Sequence, residues 1–160
     1  MPDSPYRVLF VCMGNICRSP AGEGVLRQML AESQLAGKIE VDSAGTIDYH
    51  TGKHADSRMR AAAAARGIEL KGRARAVRRF DFDNFDLVLA MDHDNFRDLT
   101  EIKGQGETRA ALKLFCDYCT EHEEDEVPDP YYGGNAGFER VLDLLEDGCA
   151  QLIAELQSHR

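Results

Sequence analysis

The apolar run Val8-Leu9-Phe10-Val11 leads straight into Cys12-Met13-Gly14-Asn15-Ile16-Cys17-Arg18-Ser19-Pro20, and this junction constrains the fold more than any other stretch. A short, unbroken apolar run reads as a strand buried on both faces. Ser19 suits a helix N-cap and Pro20 the first helical position, so a helix is expected from about Pro20 to Leu35. The loop between them then lies at the carboxyl end of a strand, where open α/β sheets bind ligands. Unpaired amides at a helix N-terminus attract anions. With a thiol at one end and a guanidinium at the other, the segment reads as a phosphate cradle with a nucleophile at its floor.

The rest of the chain repeats the alternation. Ile39 to Ser43 reads as a second strand ending at Ala44-Gly45, and Asp56 as the cap of a helix through Ala61–Ala65 that Gly67 stops. Leu87-Val88-Leu89-Ala90 reads as a buried third strand, followed by a helix over Asp94 to Ile102. Leu112 to Phe115 is the expected fourth strand. A loop with Pro128-Asp129-Pro130 and Gly133-Gly134 then precedes a helix from about Gly137 to Leu156. Phe138, Val141, Leu142, Leu145, Cys149, Leu152, Ile153 and Leu156 share one face of that helix. Strands alternating with helices predict an α/β fold: one domain over residues 1–160, with a four-stranded parallel sheet and helices on both faces, Rossmann-like.

Charge and cysteine content narrow the class. A net charge of −9 excludes nucleic acid as the main partner but leaves an anionic small ligand possible, since binding follows the local field. No apolar stretch is long enough for a membrane span, and the first residues lack the build of an export signal. Five cysteines, an odd count, then read as reduced thiols in the cytoplasm. The arginines at 58, 60, 66, 73, 75, 78 and 79, and the acidic cluster Glu121 to Glu126 broken by His122, read as solvated surface.

The first loop carries chemistry. A thiolate, not a thiol, is the nucleophile, and helix N-termini or nearby cations lower a cysteine pKa from about 8.5. Gly14 is expected to let the backbone turn so that successive amides form an anion nest. Arg18 offers a planar fork for two phosphoryl oxygens, which lysine does not.

The segment Val11 to Pro20 resembles the signature of the low-molecular-weight protein tyrosine phosphatases, most closely bacterial and in particular cyanobacterial members. The similarity extends through Asp42-Ser43-Ala44-Gly45-Thr46, Ala90-Met91-Asp92 and Asp129-Pro130-Tyr131-Tyr132, so it spans nearly the whole chain. It implies a hydrolase that cleaves phosphotyrosine through a phosphocysteine intermediate, without cofactor or metal. Cys12 would be the nucleophile and Arg18 the phosphoryl clamp, with Met13, Gly14, Asn15, Ile16 and Cys17 completing the phosphate site. Asn15 with Ser43 would hold the loop, and Ser19 would hydrogen-bond the thiolate. Asp129 would act as acid and then as base. Ile16, Tyr49, Tyr131 and Tyr132 would form the substrate pocket. Asp92 matches a supporting position, although a helix N-cap is the preferred reading.

Several residues keep two readings. Cys17 is either a redox partner for Cys12 or a small buried residue beneath the loop. Cys116-x-x-Cys119, with His122 following, lacks the second pair that a structural zinc site needs. Expected partners are phosphotyrosine proteins, with inorganic phosphate or other oxyanions as competitive ligands, and the chain is expected to be a monomer or weak homodimer. Two rivals share the resemblance. Arsenate reductases need a cysteine pair after the third strand, and Met91 to Gly106 contains none. Phosphoarginine phosphatases carry threonine where Ile16 stands.

Overall fold

The computed structural model describes residues 5–131 and 134–158. Its strands are β1 (Tyr6–Cys12), β2 (Ile39–Gly45), β3 (Leu87–Ala90) and β4 (Ala111–Leu114). They form one parallel sheet in the order β2-β1-β3-β4. Five α-helices are described: α1 (Arg18–Ala31), α2 (Ser57–Ala64), α3 (Asp81–Asn84), α4 (His93–Lys103) and α5 (Asn135–Ser158). A 3₁₀ turn, Phe115–Tyr118, follows β4.

Strand geometry sends alternate side chains to opposite faces, and β1 is apolar on both. Val8, Phe10 and Cys12 face a layer built by α1, α2 and α5, whereas Leu9 and Val11 face α3 and α4. Helices therefore cover both faces, as the alternation predicts. On the larger side the Phe10 and Phe115 rings lie 5.8 Å apart, and α5 rides directly over Phe115. That approach requires Gly148, because a Cβ there would lie 2.3 Å from the Phe115 ring. Because β1 is central, its last residue, Cys12, is delivered to the middle of the sheet's carboxyl edge.

Some boundaries differ from expectation for identifiable reasons. Helix α1 begins at Arg18 with Cys17 as N-cap, not at Pro20 with Ser19 as cap. The Ser19 hydroxyl is engaged beneath the loop instead, and Pro20 falls in the first turn, where its missing N–H has no intrahelical partner to lose. Helix α3 escapes sequence reading because four residues are too few to show periodicity. It is set by Asp81, whose buried carboxylate accepts from the Arg78 amide at 2.7 Å and from Arg75 at 3.1 Å. Strand β4 starts one residue earlier than expected, and Phe115 belongs to the turn that follows it. Asp56 caps α2 through the amides of Arg58 and Met59 as predicted, and Gly67 follows with φ +79°.

Candidate active site

Cys12 closes β1 nearly buried, and the chain then loops to the first turn of α1. Backbone anchors fix that loop from outside. The carbonyls of Cys12, Met13, Ile16 and Cys17 accept from the amides of Thr46, Ile47, Asp56 and Ala21 at 2.7–3.2 Å. No cis peptide occurs among the described residues. In a planar trans peptide each N–H points opposite the preceding carbonyl. The amides of Met13, Gly14, Cys17 and Arg18 are therefore turned away from these anchors, as an anion nest requires.

The left-handed residue of the loop is Asn15, at φ 58°, and not Gly14. Asparagine tolerates this region better than other side chains, and here its amide is bound on every side. Its Nδ2 donates to the Ser19 hydroxyl at 2.8 Å and to the Ser43 hydroxyl at 3.0 Å, while Oδ1 accepts from the Arg75 amide at 2.9 Å. Ser43 passes its own proton to Glu23 at 2.7 Å, so its oxygen is fixed as an acceptor for Asn15. Ser19, likewise accepting from Asn15, places its hydroxyl 3.0 Å from the Cys12 sulfur. The absence of a side chain matters at Gly14 for another reason: a Cβ there would lie 2.9 Å from the His50 ring. Gly45 at the end of β2 is equally constrained, since a Cβ would lie 2.7 Å from the Met13 carbonyl oxygen.

Arg18 is buried, and both protons of its Nη1 are engaged: it donates to Asp92 at 2.6 Å and to the Val127 carbonyl at 3.0 Å. Among the described residues, its Nη2 and Nε donate no hydrogen bond to protein, which leaves one edge of the fork for a ligand. Burial opposes its charge, but the Cys12 sulfur and Asp92 more than offset this and raise its pKa. Asp92 fills both sequence readings at once. One oxygen caps α4 at the Asn95 amide, 2.7 Å away, and the other holds Arg18.

Asp129 stands above the loop on a different footing. Its Oδ1 accepts from the Tyr131 amide at 3.0 Å, and its Oδ2 lies 3.9 Å from Arg18 Nη2 with the side chain 41% exposed. Together these groups line a cleft of about 310 Å³ whose walls include Ile16, Ile47, Tyr49, His50 and Tyr131. Tyr131 is braced by Arg58, whose guanidinium sits 5.3 Å from its ring and is itself held by Asp56 at 3.1 Å. Tyr132 lies outside the described residues.

Contributors that sequence reading missed include the Val127 carbonyl, Glu23, the Arg75 amide, Ile47, His50 and the Arg58 brace on Tyr131. Only Glu23, one helical turn beyond Ser19 on α1, carried a local signal. The arginines read as solvated surface are also more committed than expected. Arg75 pairs with Asp42 and Asp81, and Arg66 joins α2 to Glu139, Asp143 and Glu146 on α5. In the acidic cluster, Glu126 accepts from the His93 amide at 2.8 Å and Glu124 pairs with Arg140. His122 directs its Nδ1 to Asp147, 2.8 Å away. Cys17 is buried, and its thiol is pushed up to about 12 by that burial, with Asp56 and the Cys12 sulfur adding to the effect.

A thiol and a buried guanidinium around an amide-lined loop define a cysteine-based, phosphate-binding α/β protein. Comparison with known proteins makes the class specific. Residues 7–160 match the family described as low molecular weight phosphotyrosine protein phosphatase. A putative low molecular weight protein-tyrosine-phosphatase of Synechocystis is 48% identical over 150 residues, covering 94% of this chain and 96% of that one. The crystal structure of an Entamoeba histolytica protein tyrosine phosphatase with Hepes in its active site is 44% identical. It superposes with a TM-score of 0.88 over 96% of this chain and 98% of its own. A Drosophila arginine phosphatase has the same fold, with a TM-score of 0.87 at 26% identity, covering 93% of this chain and 96% of that one. The chain belongs to the low molecular weight phosphotyrosine protein phosphatases.

Proposed function

We propose that this phosphatase hydrolyses phosphotyrosine in proteins by two displacements at phosphorus, with Cys12 as nucleophile, Arg18 as clamp and Asp129 as acid and base. The observation that carries the reading is the convergence of the Cys12 sulfur, the free edge of Arg18 and the exposed Asp129 Oδ2 on one cleft.

In the first step the Cys12 thiolate attacks phosphorus while Arg18 and the loop amides hold the equatorial oxygens, where charge accumulates. Phenol has a pKa near ~10, so the departing oxygen needs a proton. Asp129 supplies it, a contribution of roughly 10²–10⁴-fold. In the second step the same carboxylate takes a proton from water as that water attacks the phosphocysteine. The Ser19 hydroxyl, 3.0 Å from the sulfur, is placed to donate to it and ease its departure. Inorganic phosphate is the product and a competitive ligand. Neither step draws on a metal or cofactor.

Ile16 and the rings of Tyr49 and Tyr131 give the cleft apolar walls suited to an aromatic ester. Proteins carrying phosphotyrosine in the cytoplasm are the substrates this reading assigns, met by a monomer or weak homodimer. The test is hydrolysis of matched phosphotyrosine and phosphoarginine peptides in the presence of chelator. A higher kcat/KM on phosphotyrosine is expected. Preference for phosphoarginine, or dependence on added metal, overturns the assignment.

A further inference from the structure

Three of the five cysteines lie away from the phosphate loop, in one cluster where the 3₁₀ turn meets α5. Cys116 lies inside the turn Phe115–Tyr118 and Cys119 ends it, with the Cys119 amide donating to the Cys116 carbonyl at 3.1 Å. In a 3₁₀ turn residues three apart eclipse one another. A turn closed in this way holds its end Cα atoms less than about 7 Å apart, the range that a disulfide spans. Both thiols are free and belong to the same core cluster, where the Cys119 sulfur donates to the Leu144 carbonyl at 3.5 Å. Cys149 of α5 lies fully buried beside them.

The two sulfurs are not equivalent. Cys116 is buried, and the neighbouring Cys119 together with that burial pushes its thiol up. Cys119 is half-buried. The neighbouring Cys116 lowers its pKa, although burial, Asp147 and Glu124 oppose this. A half-buried sulfur within one turn of a buried one is the arrangement of an attacking and a resolving cysteine.

We propose that Cys116 and Cys119 form a second redox site, a dithiol that a hydroperoxide converts to a disulfide independently of Cys12 and Cys17. The Cys119 sulfur attacks the terminal peroxide oxygen. The O–O bond breaks, the distal fragment leaves as water or alcohol, and Cys119 becomes a sulfenic acid. The Cys116 sulfur then attacks the Cys119 sulfur and expels hydroxide, which takes the Cys116 proton and leaves as water. Two thiols lose two hydrogens, and one peroxide is reduced to water or alcohol plus water.

A single tryptic fragment, Leu114 to Arg140, holds both cysteines and no other. The test treats the full chain carrying Cys12→Ser and Cys17→Ser with hydrogen peroxide, alkylates it and weighs that fragment. The expected result is loss of both alkyl groups together, restored by a dithiol reductant, while Cys149 stays reduced. With Cys116→Ser added, Cys119 should be trapped by dimedone; with Cys119→Ser added, Cys116 should stay unlabelled. Fragments that remain doubly alkylated after treatment overturn the proposal, and dimedone capture at Cys116 overturns the order of attack. In the unmutated chain, inorganic phosphate should slow loss of activity to peroxide yet leave formation of this disulfide unchanged. Equal protection of both would contradict two independent sites.

Discussion

The loop Cys12–Arg18 and the segment from Thr120 to Tyr131 meet at Arg18, yet they are built in opposite ways. The first is short and closed on itself: Asn15, Arg18 and Ser19 are each 3% exposed or less, Asn15 donates to both hydroxyls beneath the loop, and Ser43 in turn donates to Glu23. The second is tethered at intervals to other elements. The buried Asp147 of α5 accepts from the amides of Thr120, Glu121 and His122 at 3.0–3.1 Å. Glu126 reaches the start of α4, and Val127 joins Met91 and Arg18. Beyond the last tether Asp129 stands exposed. Groups that hold phosphoryl oxygens in both steps gain from rigidity. The group that gives a proton to a leaving phenol and then takes one from water must remain reachable by both.

The sharpest way to break this contrast is at the rigid side. Cys12→Ser should abolish hydrolysis of an aryl phosphate, measured as loss of turnover to background. Arg18→Lys should lower kcat/KM by about 10²–10³-fold, because a point charge does not reproduce the fork. On the exposed side, Asp129→Ala should lower kcat for phenyl phosphate by about 10²–10⁴-fold. The effect should shrink as the leaving phenol becomes more acidic, with the inhibition constant of phosphate unchanged. A loss independent of leaving group would remove Asp129 from proton transfer.

Asn15 tests whether the rigidity is stored in the backbone. Asn15→Ala should destabilise the fold by about 2–3 kcal/mol, from lost hydrogen bonds and a left-handed residue without compensation. Asn15→Gly should recover about 1 kcal/mol of that, since glycine adopts the same φ freely. Denaturant midpoints of the two variants give the split.

The smallest effect on rate belongs to the tether. Asp147→Ala should cost about 2–3 kcal/mol of stability through its unpaired donors, with kcat changed by less than about twofold. Burial alone would raise the Asp147 pKa, but the Thr120 amide, His122 and the neighbouring amides outweigh it and lower the pKa. A carboxylate depressed in the folded state stabilises at pH above its unfolded value near ~3.9, and that contribution is lost as pH falls through the folded value. The acid limb of a stability–pH curve should therefore flatten in Asp147→Ala. An unaltered acid limb would show that the tether carries no linkage.

The same contrast explains what the sequence revealed. The rigid loop was legible because its parts are contiguous: a strand, a thiol, an asparagine, an arginine and a helix start within about a dozen residues, in an order that few folds satisfy. The parallel sheet and its helix layers followed from the apolar runs of β1 and β3 and the one-sided face of α5, whereas the strand order β2-β1-β3-β4 came only with the structure. Long-range partners were not legible. Nothing near Val127 announces that its carbonyl holds Arg18, more than a hundred positions earlier, because a backbone acceptor has no sequence signature. Ser19 misled for a related reason. A serine before proline is a good cap, yet the resemblance sent its hydroxyl to the Cys12 sulfur; the structure keeps the second of these, and only it shows that Asn15 also claims that hydroxyl. Asp92 was posed as cap or support, and its two oxygens allow both.

The account rests on transfer of the phosphoryl group to Cys12. Rapid acid quench during turnover of a ³²P-labelled aryl phosphate, followed by peptide mapping, measures this directly. Label on the peptide containing Cys12, formed and lost at rates that support kcat, is the expected result. Steady turnover with no label on that peptide, or with label elsewhere, would contradict it.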